Sequence, residues 1–472
     1  MPLSIETALG RQGASLLASR ERGGPDQSGF VALSRGQDAL AARIALIRGA
    51  EQSLDLQYYI WHDDLSGALL ARELLHAAQR GVRVRLMLDD LDMADKYPAL
   101  LTLDAHPQIS VRLYNPFRHR SWRGLNLLLE PSRLNHRMHN KSLTVDGAFS
   151  VVGGRNVGDE YFDISGHSTF ADMDVLMVGP AVAEVAAAFD RYWNSKWVVP
   201  FVAEEGRESL VGATTSAPPP LPESVAQHTY LASGAIGRLP FVWGRAEVLY
   251  DPPGLIDAKS ELADSAVVSH MGRWVTQIGA ELIIVSPYFV PGEALVEQLG
   301  DLVDNGVSVK VLTNSLATND VTLVHAGYMR YREPLLQQGV ELWEMKARSL
   351  PPQNKENQSA AGSSRASLHA KVIGVDRRYL FVGSFNMDPR SAYINTEMGV
   401  VFESEPLAQG LSDAFALSIA QRAYQVNISD GRLSWKEWRE DGDVTYQSEP
   451  NTTLWQRLMA SMLSWIVIED LL

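Results

Sequence analysis

The chain carries one frame twice. His139, Lys141 and Asp146 stand in the spacing His-x-Lys-x4-Asp, and His369, Lys371 and Asp376 repeat it 230 positions later. A second element follows each copy at the same offset, Gly153-Gly154-Arg155-Asn156 in the first and Gly383-Ser384-Phe385-Asn386 in the second. Matching residues extend outward: Gly279-Ala280-Glu281 echoes Gly49-Ala50-Glu51, Tyr288 echoes Tyr58, and Gly306-Val307 echoes Gly81-Val82. A duplication of this extent requires two halves of like architecture, because each copy needs the same elements to hold it.

Each copy reads as a β-hairpin. On a strand leading into Asp146, alternation puts His139 and Lys141 on one face. Asp146-Gly147 is a turn signal; a two-residue turn pairs Val145 with Ala148 and sets Gly154 opposite His139, with Asn156 just past the strand. The same count sets Ser384 opposite His369. Each half thus offers an imidazole, an ammonium and an amide donor. That set suits a phosphate, since cation and amide stabilise charge on its oxygens while imidazole attacks or moves a proton. Gly153, Gly154, Gly383 and Ser384 are motif supports, and Asp146 and Asp376 are turn-forming supports rather than proton carriers.

Around the motifs the pattern is α/β. A helix is expected at 37–48, with Leu40, Ile44 and Ile47 at helical spacing and Gly49 as its stop. A strand at 54–60, a helix through Leu69, Leu70, Leu74 and Leu75, and a strand at 82–88 then make a crossover unit. The expected divisions are a loosely ordered leader at 1–35, a first half at 36–205, a linker at 206–226 containing Ala217-Pro218-Pro219-Pro220, a second half at 227–425, and a tail at 426–472. The reactive elements meet between the halves. Residues 346–366 read as a mobile loop, and 118–129, rich in arginine and leucine, as either a connector or a membrane-facing lip. An amphipathic helix is expected within 454–472, with Leu454, Trp455, Leu458, Met459, Met462, Trp465 and Ile466 at helical spacing. It reads first as folded back on the core, because Glu469-Asp470 would be repelled by anionic lipid; interfacial anchoring is the alternative.

Several classes are disfavoured. With 42 basic and 56 acidic side chains the net charge is −14, poor for non-specific nucleic-acid binding. The absence of cysteine excludes disulfides and thiolate chemistry. No metal or cofactor is expected, since a lysine beside each histidine repels cations. Residues 1–25 lack the pattern of a secretory signal and no apolar run spans a bilayer, so the expected location is cytoplasmic and peripheral.

The duplicated motif, together with Tyr58-Tyr59-Ile60-Trp61, Gly158-Asp159 and Asp388-Pro389-Arg390-Ser391, resembles the phospholipase D superfamily and, within it, the bacterial cardiolipin synthases. The resemblance runs from about Gln37 to the C-terminus. It implies two phospholipase D-like α/β halves with mixed sheets flanked by helices and the site at their interface. It also implies phosphatidyl transfer through a phosphohistidine, phosphatidylglycerol and phosphatidylethanolamine as substrates, and peripheral association with the inner face of a bacterial membrane. The motif by itself supports transfer or hydrolysis; a non-catalytic lipid-binding scaffold is the alternative from another class, and a protein partner is left open. The family keeps an acid after each motif. Aligning Asp172-Met173-Asp174-Val175 with Glu397-Met398-Gly399-Val400 selects Asp172 and Glu397, with Asp174 still open, and the implied pairing is crossed: Glu397 with His139, Asp172 with His369. The expected catalytic set is therefore His139, Lys141, Asn156, Asp172, His369, Lys371, Asn386 and Glu397. Tyr58 and Tyr288, at the ends of equivalent strands, are candidate headgroup contacts, with simple packing as the commoner role of an aromatic there.

Overall fold

A computed structural model of the chain describes residues 5–465 apart from 21–23, 94–96, 119–128, 165–167, 202–219, 233, 255–264, 276 and 348–364. In the first half the strands are β1 (Gln27–Leu33), β2 (Ser53–Tyr58), β3 (Arg83–Asp89), β4 (Ile109–Tyr114), β5 (Ser142–Val145), β6 (Phe149–Gly153), β7 (Ser168–Ala171), β8 (Asp174–Val178) and β9 (Val198–Pro200). In the second they are β10 (Val242–Tyr250), β11 (Glu281–Val285), β12 (Ser308–Asn314), β13 (Glu341–Met345), β14 (Arg365–Leu368), β15 (Val372–Val375), β16 (Tyr379–Gly383), β17 (Met398–Glu403), β18 (Ala423–Ser429), β19 (Arg432–Glu437) and β20 (Val444–Tyr446).

Hydrogen bonding orders the first sheet β1-β8-β6-β5-β2-β3-β4-β9 and the second β10-β17-β16-β15-β11-β12-β13-β18. The orders correspond strand for strand. In each, three central strands run parallel (β2-β3-β4 and β11-β12-β13) and the rest are antiparallel. Parallel neighbours need crossovers, and helices Leu65–Gln79 and Gly292–Asp304 supply the first of each set. Asp64 caps the former, accepting from the Gly67 N–H at 3.0 Å. The expected helix at 37–48 is Gly36–Gly49.

Among the described residues, two strand pairings link the halves. β1 pairs antiparallel with β10, and β7 pairs in parallel with β14. The second junction fixes the site, because β7 runs into Asp172 and β14 runs into His369.

Four expectations require correction. Residues 1–35 are not a loose leader: helix Ala8–Ser19 is capped by Thr7 and buries Leu9 in the core, and β1 is a sheet strand. Short glycine-rich sequence concealed pairing partners that are distant in the chain. The polar stretch after 425 is not simply a tail, since β18, β19 and β20 extend the second sheet. The hairpin register is shifted by one. Asp146 and Gly147 have φ of 51° and 62° and the turn closes from the Ala148 N–H to the Val145 carbonyl, but Val145 then pairs with Phe149, so Ala148 is an extra, bulged residue. The second hairpin repeats this, with Val375 opposite Tyr379. Lastly, Tyr58 is only 1 % exposed and its hydroxyl accepts from Arg43 Nε at 3.1 Å, so it is a core residue with no surface for a headgroup.

The expected lip, the mobile loop and most of the linker lie outside the described residues. Helix Leu454–Trp465 lies on helix Thr322–Met329, burying Ala460 and packing Leu463, yet Trp455 and Trp465 remain 69 % and 89 % exposed. It folds back as expected, but only along one side.

Candidate active site

Both histidines end up buried, each held by the other half. The His139 N–H donates to the Thr396 carbonyl at 2.9 Å and the His369 N–H to the Ala171 carbonyl at 2.8 Å. These carbonyls immediately precede the two acids, so the backbone contact brings each carboxylate to a ring. His139 Nδ1 lies 2.9 and 3.1 Å from the Glu397 oxygens; His369 Nδ1 lies 2.6 Å from Asp172 Oδ2. Such pairing fixes the ring and turns Nε2 toward a substrate. Asp174 stands elsewhere, 2.9 Å from Arg43 Nη1 and 3.4 Å from Arg155 Nη1.

Lys141 and Lys371 are buried alongside, each donating to the carbonyl of its own histidine. Lys371 Nζ also lies 3.2 Å from His369 Nε2. The motif aspartates point away from the chemistry. Asp146 accepts from the Glu51, Gln52 and Ser53 N–H groups at 2.9–3.0 Å, and Asp376 from those of Gly279, Ala280 and Glu281. Each therefore ties its hairpin turn to the start of the central strand.

Gly154 and Ser384, equivalent by offset, show how one frame accommodates two acids. A Cβ at Gly154 would come within 2.3 Å of Asp172 Oδ1, so only glycine fits there, whereas Ser384 donates its hydroxyl to the longer Glu397. Ser391 adds a second hydroxyl to Glu397 at 2.8 Å. The asparagines also differ. Asn156 is committed at both ends, to the Ile60 N–H and the Tyr161 hydroxyl, while Asn386 Oδ1 has no hydrogen-bond partner among the described residues.

Tyr288 is half-buried at the rim, its hydroxyl donating to Asp320 at 2.9 Å. The aromatics against the imidazoles are others: Tyr59 meets His139 edge-on at 5.1 Å between centroids, and Tyr161 and Phe170 lie 5.1 and 5.2 Å from His369. Sequence reasoning missed these, although strand alternation offered a signal for Tyr59, because it must face opposite to Tyr58. Arg390, which holds Asn135 of the first half, is likewise close enough to depress His139. His62, Asp64 and Glu160 place three ligand-type atoms within 4.8 Å of one another; Asp64 already caps a helix there and His62 pairs with Glu160.

Electrostatics separates the two pairs. Burial, reinforced by Lys141 and Lys371, holds His139 well below the usual imidazole range. Burial and Lys371 also lower His369, but Asp172 works against them. Burial pushes the Asp172 carboxyl up; His369, Lys371 and Arg155 outweigh it and keep Asp172 below the usual range. Glu397 goes the other way, raised by burial to about 7 despite Lys141 and its two hydroxyl donors. Lys371 is lowered by burial to about 8, and Lys141 further below its ordinary value.

The family model described as "Cardiolipin synthase, PLD-like domain" matches residues 44–193 and 276–418. Cardiolipin synthase C of Escherichia coli is 42% identical over 95% of this chain and 97% of its own length. Cardiolipin synthase B of the same organism is 25% identical over 84% of this chain and 81% of its own. Among solved structures, a phosphatidylserine synthase from Haemophilus influenzae aligns with a TM-score of 0.57 at 14% identity, covering 88% of this chain and 92% of that one, a likeness of fold.

Proposed function

The chain belongs to the phospholipase D-like cardiolipin synthase family, and we propose from that premise that it is a phosphatidyltransferase that makes cardiolipin from phosphatidylglycerol and phosphatidylethanolamine. The observation that carries the reading is the crossed arrangement of two histidine–carboxylate pairs around two buried lysines.

In this mechanism His139 Nε2 attacks the phosphorus of the donor lipid. The P–O bond to the headgroup alcohol breaks, and His369 gives its proton to the departing oxygen. The primary hydroxyl of phosphatidylglycerol then returns a proton to His369 and displaces His139 from phosphorus, forming cardiolipin. Lys141, Lys371 and Asn386 meet the phosphate oxygens. The charge environments support this direction: a nucleophile must be unprotonated, and His139 is lowered further than His369, while ionised Asp172 offsets part of the lowering at His369, the group that must carry a proton. The acidic net charge and the cardiolipin synthase relatives weigh against a nuclease.

Mass spectrometry of lipids after incubating the purified protein with phosphatidylglycerol vesicles, with and without phosphatidylethanolamine, tests this. Cardiolipin with equimolar ethanolamine is expected. Phosphatidic acid as the sole product would make the protein a hydrolase, and cardiolipin formed equally well without phosphatidylethanolamine would remove that lipid from the reading.

Lipid substrates require contact with a bilayer. Among the described residues no helix is long and apolar enough to cross one, so the proposed association is peripheral, on the inner face of the cell membrane. Helix Leu454–Trp465 supports it by exposing Leu454, Trp455, Leu458, Met462 and Trp465 beside helix Thr322–Met329, just past the rim residue Asp320. Replacing Trp455 and Trp465 together by serine should weaken liposome co-sedimentation at least about tenfold, since each indole carries a large apolar area. The melting temperature should hold, because neither ring is buried. Unchanged liposome binding would eliminate this helix as the anchor.

A further inference from the structure

Resting on the reading of His139 as a catalytic residue, we infer that Asp251 is a positioning residue for the His139 half of the site, clamping the backbone of Glu397 so that its carboxylate meets the ring, and that the His369 half has no equivalent.

Asp251 follows β10 and is wholly buried. It grips Glu397 at two points. Asp251 Oδ2 accepts from the Glu397 N–H at 2.9 Å, and the Asp251 N–H donates to the Glu397 carbonyl at 3.0 Å. Its own carbonyl accepts from the Tyr192 hydroxyl at 2.6 Å, on helix Pro180–Trp193 of the first half. Its second carboxylate oxygen faces the start of helix Ala266–Val275, 3.4 Å from the Val267 nitrogen. Asp251 thus anchors Glu397 to both halves and to a helix terminus. The Glu397 side chain, reaching to 2.9 Å from His139 Nδ1, inherits that rigidity.

Sheet register identifies what stands at this position in the other half. Leu249 pairs with Gly399 as Leu33 pairs with Asp174, and Gly399 and Asp174 occupy matching places after Glu397 and Asp172. Two residues on, Asp251 therefore corresponds to Arg35, whose side chain is 74 % exposed. On that side the Asp172 carbonyl accepts instead from Arg155 Nη2 at 2.6 Å. The duplication has diverged here: a buried carboxylate holds one acid and an arginine holds the other.

The charge environment agrees. Burial lifts Asp251 to about 7, and the neighbouring Glu397 charge adds to the rise. Two buried carboxylates this close do not both ionise readily near neutrality. The other titratable groups are Tyr192 and Tyr114 near Asp251, and His139, Lys141, Lys371 and Asp388 near Glu397.

The experiment uses the full chain on vesicles and measures the rate of phosphohistidine formation from labelled donor in single turnover. Asp251→Ala and Asp251→Val both remove the acceptor, and the valine variant serves should the alanine variant not fold. Asp251→Asn keeps an acceptor for the Glu397 N–H. Labelling is expected to slow about 10- to 100-fold in the first two, the range that loss of an orienting partner costs at metal-ligating side chains, and to stay within about threefold of wild type in Asp251→Asn. A merely structural role would not give rescue by the asparagine. Equal rates in all four proteins, or slowing as severe in Asp251→Asn as in Asp251→Ala, would overturn the inference. The position of the label in the wild-type protein tests the role of His139 separately.

Discussion

His369→Ala should still become covalently labelled by a donor with an activated leaving group, and His139→Ala should not. The two imidazoles share one site and nearly one geometry, so with the natural lipid both variants should lose turnover, each by at least about 10³-fold. The distinction lies in what the leaving group needs. A headgroup alkoxide is a poor leaving group and requires a proton in flight, which His369 beside ionised Asp172 supplies. A low-pKa leaving group requires none, so loss of His369 should be partly rescued in the first step. Nothing replaces a missing nucleophile. Rapid quenching with phosphorus-labelled donor, followed by peptide mapping, reads the outcome directly. Label on His369 in the His139→Ala protein would reverse the roles while leaving the phosphohistidine chemistry intact.

The halves and their reactive groups were legible because the duplication is local in sequence: His, Lys, Asp and Asn fall within 18 residues in each copy. The strand–helix–strand unit from 54 to 88 was legible for the same reason, since hydrophobic period and glycine stops are short-range signals. What escaped depends on distant partners. Nothing near Tyr58 announces that Arg43 will bind its hydroxyl, and the offset match with Tyr288 misleads, because β2 runs through Tyr58 while β11 stops at Val285. Asp146-Gly147 does make the turn that its residue types specify, yet a single bulged alanine moves every residue behind it by one place. β1 hid among glycines because a strand paired on both sides takes its stability from β8 and β10 rather than from its own composition. Asp251 carries no motif at all; only the pairing of β10 with β17 brings it to Glu397.

The sequence left Asp172 and Asp174 as alternatives, and the geometry gives them opposite expected phenotypes. Asp174→Asn should unfold more readily, while Asp172→Asn should fold and fail to react. Asp174 is fully buried between two buried guanidinium groups, with Arg43 at 2.9 Å and Arg155 at 3.4 Å, and it also accepts from the Arg155 N–H at 3.2 Å. Its Oδ2 receives no well-aligned hydrogen bond, so the contact with Arg43 is chiefly an ion pair. An amide there leaves two cations in a low-dielectric interior with no other ion pair among the described residues, and removing one partner of such a cluster costs about 3–5 kcal/mol. For a unit of this size that corresponds to a fall in melting temperature on the order of 10 °C. Asp172 instead faces His369 and Lys371, both of which can shed a proton when the carboxylate is neutralised, so the folded state relieves the loss by deprotonating. Its melting temperature should move by no more than a few degrees, with turnover down at least about 10²-fold because the general acid is no longer held protonated or oriented. Thermal melts and initial rates on the two variants decide it. A stable, inactive Asp174→Asn beside an active Asp172→Asn would show that the orienting acid had been assigned to the wrong residue.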